Sequence, residues 1–389
     1  MLPHMRKSPT RVLFLCSGLG RIQGGYETFT RECYDALKSD PSLEIVLLKG
    51  GGKSQENEFS IFAIPRSGRI ANVLGRLTRT HAYAIEQASF SLSCIAYILR
   101  YRPQVVYFSD RTVGRVLYRI RNALNMKFEI LLSNGGGFPP PYGYTDYIHH
   151  VTPTHLIRSI NMGIATEKQA FIPYGFHINR EFTAISKKAK KGYKEKLDID
   201  TNRPVLLSVG ALQREQKRTD FLIQEISTMP EPRPYLIMLG RETSDTAVLR
   251  EMATQKLGAN NFRMLSVAAN EVEQYYCAAD CFVMTSLSES FGRVYVEALS
   301  HGLPCIVHEY DTTRYVMGNH ATLADLSKEG VLPSLIAQEL DCDNGELLQQ
   351  QRHSYAFDNF SWRQLLPEYV EMLHRCAQGQ TLATITRHK

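Results

Sequence analysis

The sequence predicts an α/β protein built as two doubly wound domains in tandem, and three observations carry that expectation. The chain has 389 residues, more than one ordinary hydrophobic core serves. Short apolar runs alternate with amphipathic stretches, as in parallel sheets covered by helices. The alternation then starts afresh at residue 204, after the charged run KKAKKGYKEKLDID at 187–200.

In the front half, RVLFLC (11–16) is a continuous apolar run, the mark of a strand covered on both faces. YETFTRECYDALKSD (26–40) follows as an amphipathic helix and EIVLLKG (44–50) as a second strand. QVVYFSD (104–110) and EILLSN (129–134) are further strands. The run at 187–200 reads as an exposed linker rather than a nucleic-acid tail. PVLLSVG (204–210) opens the second series, and YLIMLG (235–240), NFRMLS (261–266), DCFVMTS (280–286) and PCIVHE (304–309) continue it. SWRQLLPEYVEMLHRC (361–376) closes the chain as a helix. The expected domains are 1–182 joined by 361–377, and 200–357, with 183–199 linking them and a cleft between.

Composition narrows the function classes. Hydrophobic content of 43% with 22% charged residues describes a soluble globular chain. No stretch approaches the ~18 uninterrupted apolar residues of a membrane span. The opening MLPHMRKSPT leads straight into a strand with no signal-like apolar region, so a cytoplasmic location is expected. Eight scattered cysteines agree with reduced, buried thiols. Cys277 and Cys281 are the one close pair, and no Cys/His pair stands at zinc spacing nearby. Residues 1–195 carry 27 Lys+Arg against 14 Asp+Glu, and the remainder 18 against 25. A front half at +13 and a back half at −7 face different partners, the front drawn to anionic lipid or phosphate.

The first strand runs into CSGLGRIQGGYETF (16–29). A nicotinamide fingerprint needs Gly-x-Gly-x-x-Gly there and an acidic residue ending the second strand. Gly18 and Gly20 fit, but Gln23 stands in the third glycine's place. The second strand ends in Lys49, which leaves a phosphorylated ribose open as an alternative. Gly24 and Gly25 sit where the helix starts, and their amides suit a diphosphate.

The strongest signal is SLSESFGRVYVEALSHGLP at 286–304. Glu289 lies in the loop after a strand, and Glu297 follows on the next helix. Ser290, Phe291, Gly292 and Arg293 put backbone amides at that helix's N-terminus, where an anion is favoured. A helical carboxylate accepts two hydrogen bonds from a vicinal diol such as ribose, and one in the loop meets sugar hydroxyls and developing positive charge. Two exposed glutamates on an ordinary surface helix are the bland alternative. In SVGALQREQKRTDFLI (208–223), Lys217 and Arg218 open another helix, placed to neutralise a leaving diphosphate or simply to meet water.

On these residues the chain resembles a retaining glycosyltransferase of the GT-B type, in the large family marked by E-x7-E (glycosyltransferase family 4, group 1-like). Glu289 to Glu297 matches that motif within S-E-S-F-G-x-V-x-V-E-A-L-x-x-G-x-P. Gly24-Gly25-Tyr26-Glu27 resembles the family's Gly-Gly-x-Glu loop, and the last helix resembles the one that crosses back to the N-terminal domain. The resemblance implies two Rossmann-like domains facing a central cleft, the N-terminal one holding the acceptor and the C-terminal one a nucleotide-diphosphate sugar. It implies that Lys217 holds the donor phosphates and Glu289 contacts the transferred sugar. Phe291, Gly292 and Arg293 then meet sugar and phosphate through their backbone, Glu297 holds the ribose, and Gly25 sits near the β-phosphate. The stretch 263–276 lines the base pocket in this reading. Two positions depart from the family: Ala211 stands where an Arg is common, and Asn134 where a His is common. Asn134, Gly135 and Gly136 are therefore the acceptor-side candidates, with His149 and His150 as a substitute or as a packed or helix-surface pair. The acceptor class implied is a glycan or a lipid-linked molecule, with no cofactor. A nucleotide-sugar epimerase and a catalytically silent binding protein of the same fold are the alternatives.

Two Asp-x-Asp triplets, Asp198-Ile-Asp200 and Asp341-Cys-Asp343, follow no core strand, so no essential metal is expected. In PRSGRIANVLGRLTRT (65–80), Ile70, Val73, Leu74 and Leu77 stand at helical spacing among Arg66, Arg69, Arg76 and Arg79. This is either a core-packed helix with a solvated basic face or a helix lying on an anionic membrane, which would put the protein peripherally on the inner face. No nucleic-acid module is recognisable.

Overall fold

The computed structural model describes residues 8–22 and 24–383. Gln23 and the opening seven residues, on which two of the expectations above drew, lie outside the described residues. The chain forms two compact units, Met1–His177 with Trp362–Lys389, and Ile178–Ser361.

The first unit is built on β1 (Thr10–Cys16), β2 (Leu43–Lys49), β3 (Glu58–Ser60), β4 (Val105–Phe108), β5 (Glu129–Asn134), β6 (Tyr147–His150) and β7 (Gln169–Phe171). They lie in the order β3-β2-β1-β4-β5-β6-β7, every pair parallel. The second holds β8 (Val205–Val209), β9 (Tyr235–Leu239), β10 (Phe262–Leu265), β11 (Cys281–Met284), β12 (Cys305–His308) and β13 (Thr322–Ala324), in the order β10-β9-β8-β11-β12-β13, again all parallel. Both sheets are doubly wound, as expected, because each central strand is apolar on both faces and must be covered twice. Leu13, Val106, Ile130 and Phe90 centre the first core; Leu206, Leu236, Val283 and Ile306 centre the second.

The C-terminal helix Trp362–Ala377 packs within the first unit. The Tyr369 hydroxyl donates to the Pro173 carbonyl at 2.9 Å, and the Trp362 ring lies against Gly175, where a Cβ would come within 2.3 Å of it.

The structure departs from the sequence reading in several places. The run at 187–200, expected as an exposed linker, is largely a helix of the second unit, Lys187–Lys196, with Lys190 and Lys194 paired to Asp280 at 3.0 and 2.7 Å. Lys194 is buried and Lys190 largely so, and both ammonium groups reach one carboxylate. His149 and His150 are a packed pair, as one alternative had it, and they sit on a buried strand rather than a helix surface. The helix Arg69–Leu77 is not core-packed through its larger apolar residues: it buries Ala71 and Gly75, while Ile70, Val73 and Leu77 are 65%, 54% and 76% exposed. Among the described residues one helix, Ala82–Tyr101, is long and apolar enough to cross a membrane by length and composition, although its apolar residues are interrupted by polar ones. Its Phe90, Cys94 and Ile98 face lies in the first core.

Candidate active site

In the second sheet, strand order reverses between β8 and β11. Chains leaving two such neighbours turn to opposite faces and open a crevice beyond their carboxyl ends, where ligands of this architecture bind. Lys217 lies in the loop after β8 and Glu289 in the loop after β11. The topology therefore brings the two together, and their side chains form an ion pair.

Each partner is held by its own loop. The Lys217 stem passes over Gly210, where a Cβ would sit 3.2 Å from its Cε. Thr285, just past β11, donates to the carbonyls of Lys217 and Arg218 at 3.0 and 3.1 Å, tying one loop to the other. On the other side, the Glu289 amide donates to the Tyr310 hydroxyl at 2.6 Å.

The helix Arg293–Ser300 begins directly after Gly292, which has φ +79. A Cβ there would also lie 2.2 Å from the Tyr295 ring, so both backbone and space demand glycine. Ser290 is half-buried in this loop, and Phe291 is buried edge-on to Phe360 with ring centroids 5.9 Å apart. The first-turn amides from Arg293 onward form the positive end of the helix dipole. Glu297 stands further along the same helix, and the Tyr276 hydroxyl donates to its Oε2 at 3.0 Å. Lys217 and Glu289 thus meet directly, and residues 290–292 join Glu289 to the helix that bears Glu297.

Arg218 does not join them in the expected way. It sits in the left-handed region at φ +50, opens the helix Thr219–Ser227, and donates to the Leu326 carbonyl at 2.6 Å. Its guanidinium stacks 3.9 Å from the Phe221 ring centre, and burial lowers its pKa. The cation paired with Glu289 is Lys217.

The remaining candidates lie in the first unit. Gly24 caps the helix Gly25–Leu37, and Gly25 is its first residue. A Cβ on Gly25 would meet nothing within 4 Å, so packing does not require that glycine; open backbone at a helix N-terminus is what an anion needs.

Asn134, expected on the acceptor side, is instead part of the protein interior. It is fully buried, and its amide donates to the Phe138 carbonyl at 3.0 Å while accepting from the Phe138 amide at 2.8 Å. It also donates to the Tyr142 hydroxyl at 3.1 Å. The side chain locks the 134–138 turn and is not presented to an acceptor. Cβ atoms on Gly135 and Gly136 would lie 1.5 and 2.0 Å from the hydroxyls of Tyr174 and Tyr26, so these glycines make room for tyrosines. His149 accepts from Tyr107 at 2.7 Å and donates to the Ile172 carbonyl at 2.8 Å, a satisfied neutral imidazole. Lys49, the residue that left a phosphorylated ribose open, is buried and paired with Glu58. Glu58 also takes the Arg31 fork at 2.8 and 2.6 Å, chiefly through which its pKa falls to about 2.

Not legible in the sequence were Tyr276, whose hydroxyl meets the Glu297 carboxylate, and Tyr310, whose hydroxyl holds the Glu289 backbone. Tyr276 lay in the stretch assigned to the base pocket, and Tyr310 carried no local signal.

Against known proteins, the Glycosyl transferases group 1 family model matches residues 189–333. Alpha-monoglucosyldiacylglycerol synthase of Streptococcus pneumoniae is 26% identical over 163 residues, covering 41% of this chain and 36% of that protein. Lipopolysaccharide glucosyltransferase WaaG of Escherichia coli is 26% identical over 176 residues, 45% of each chain. The match thus spans less than half the length of these relatives. Among solved structures, sucrose-phosphate synthase of Thermosynechococcus elongatus superposes with a TM-score of 0.74 at 15% identity, covering 95% of this chain and 100% of that one. Anabaena HepE in complex with UDP-glucose gives 0.73 at 16% identity, covering 94% and 99%. At such identities these likenesses establish the fold. The chain therefore has the two-sheet GT-B architecture and carries, over residues 189–333, a Glycosyl transferases group 1 domain.

Proposed function

We propose that the protein transfers a sugar from a nucleoside-diphosphate sugar to a glycan or lipid-linked acceptor, retaining the anomeric configuration. The observation that carries this reading is the Lys217–Glu289 ion pair at the switch point of the second sheet, beside the N-terminus of the helix that bears Glu297. A donor diphosphate competes with Glu289 for the Lys217 ammonium and with solvent for the helix amides, so its leaving charge is neutralised without a metal. Glu289, released from Lys217, accepts hydroxyls of the transferred sugar and stabilises the positive charge at its anomeric carbon. Glu297, oriented by Tyr276, accepts the ribose diol.

In the retaining step, the bond from the anomeric carbon to the phosphate oxygen breaks as the acceptor oxygen bonds on the same face. The departing phosphate oxygen takes the acceptor's proton, so no protein base is needed. The basic first unit receives the acceptor, and its helix Arg69–Leu77 presents Ile70, Val73 and Leu77 beside Arg69 and Arg76 to a membrane surface. Relatives named for diacylglycerol and lipopolysaccharide glycosylation favour this acceptor class.

The test is incubation with a panel of nucleotide sugars, with and without acceptor lipid or glycan. Acceptor-dependent nucleotide release, with proton NMR showing the donor's anomeric configuration in the product, is expected. An isomerised donor without transfer makes the protein an epimerase, release of nothing despite donor binding makes it a silent binder, and either result ends the reading.

A further inference from the structure

We propose that Glu273, Cys277 and His301 form a binding site for a thiophilic divalent cation of the zinc class, at the C-terminal end of the helix that carries Glu297. A carboxylate oxygen, the Cys277 Sγ and a His301 ring nitrogen all lie within 4.8 Å of one another. A tetrahedral zinc with bonds of about 2.0–2.3 Å needs ligand atoms about 3.5 Å apart, so side-chain rotation closes the site. No histidine stands at zinc spacing from Cys277 in the chain; His301 comes to it from just past the end of the helix Arg293–Ser300.

Three features make the trio a ligand set. Glu273 and Cys277 stand one helical turn apart on Val272–Ala278 and share a face. His301, which ends the helix Arg293–Ser300, has Nδ1 2.8 Å from the Glu297 carbonyl. A carbonyl only accepts, so Nδ1 carries the proton and Nε2 keeps the lone pair. That tautomer, pinned by a backbone carbonyl, is the one metal-ligating histidines use. The ring is further fixed by stacking on Tyr276, with centroids 4.8 Å apart and planes 14° from parallel.

A zinc-class cation takes the cysteine sulfur as thiolate, so coordination releases the Cys277 proton to solvent and affinity rises with pH. Nitrogen, sulfur and one carboxylate leave a fourth position for water. The hardness of magnesium excludes it from such a set.

The bound cation joins two helices that already meet through Tyr276 and Glu297. Because it binds the folded unit, it stabilises that unit by mass action. This holds whether or not the protein transfers sugar.

Titrating zinc into the full chain while reading its melting temperature tests the site, with magnesium in parallel and cobalt as a spectroscopic substitute. Zinc raises the midpoint, magnesium does not, and cobalt gives a thiolate-to-metal charge-transfer band. Cys277→Ser abolishes the band, and Glu273→Gln, at an exposed position, weakens zinc binding by roughly tenfold or more. An equal zinc shift in wild type and both variants, or no shift and no band in wild type, overturns the proposal. Glu273→Gln and the cobalt band in wild type keep the test decisive if Cys277→Ser does not fold.

Discussion

Lys217 and Glu289 stand 72 residues apart in the chain yet form an ion pair with 17% and 10% of their side-chain surface exposed. Each side chain shields the other's charge, and a diphosphate sugar supplies a new partner to both. Lys217→Ala and Glu289→Gln should each lower donor turnover by about 10²–10³-fold. Lys217→Ala should also lower the melting temperature, because it strands a largely buried carboxylate. Nucleotide release at the wild-type rate in either variant would remove the pair from the chemistry.

Gly292 combines a positive φ with a tyrosine ring where a Cβ would go. Gly292→Ala should cost about 1–3 kcal/mol of stability and displace the helix start. Chemical denaturation measures the first, and donor affinity the second. A fully stable Ala variant contradicts the crowding at Tyr295.

Asn134 locks a turn rather than meeting an acceptor. Asn134→Ala should lose about 1–3 kcal/mol by stranding buried polar groups. Activity lost with an unchanged melting curve would return Asn134 to the acceptor side.

Burial holds His149 and His155 at pKa values of about 4 and His150 at about 3. An unfolded histidine titrates near 6.5. Between roughly pH 6.5 and 4 the unfolded chain binds protons that the folded chain excludes, so stability falls as pH falls through that window. The slope is about 1.4 kcal/mol per pH unit for each neutral histidine. Melting temperatures from pH 7.5 to 4.5 read it directly, His150→Gln should flatten the curve, and a pH-independent midpoint refutes the expectation.

The stretch 59–85 holds Arg66, Arg69, Arg76 and Arg79 and no acidic residue. Arg66 is spent on Glu86 at 2.6 Å, while Arg69, Arg76 and Arg79 are exposed. At about 1 kcal/mol each, three arginines favour anionic over neutral vesicles by on the order of a hundredfold. Flotation with vesicles of each kind measures that ratio, and serine at Ile70, Val73 and Leu77 should weaken both. Equal flotation with both lipids ends the membrane reading.

Much of the architecture was legible in the sequence because fully covered strands write themselves as apolar runs. RVLFLC, EILLSN and YLIMLG fall on β1, β5 and β9. The edge and outer strands β3, β6, β7 and β13 were not legible. Residues such as EFS, YIHH, QAF and TLA are too few or too polar to show a period, and their neighbours alone make them strands. The charged helix Lys187–Lys196 stayed hidden because its partner, Asp280, is remote in sequence.

By itself the sequence determined which residues share a helix face or a turn: the spacing of Glu289 and Glu297, the glycine before their helix, the alternation that makes two sheets. Those are short-range properties, set by backbone geometry within a few residues. Only the tertiary structure decided that Lys217 and not Arg218 meets Glu289, that Tyr276 meets the Glu297 carboxylate and Tyr310 the Glu289 backbone, and that Ile70, Val73 and Leu77 face outward. Periodicity says that side chains point together; what covers them depends on where the sheet delivers chain from far away.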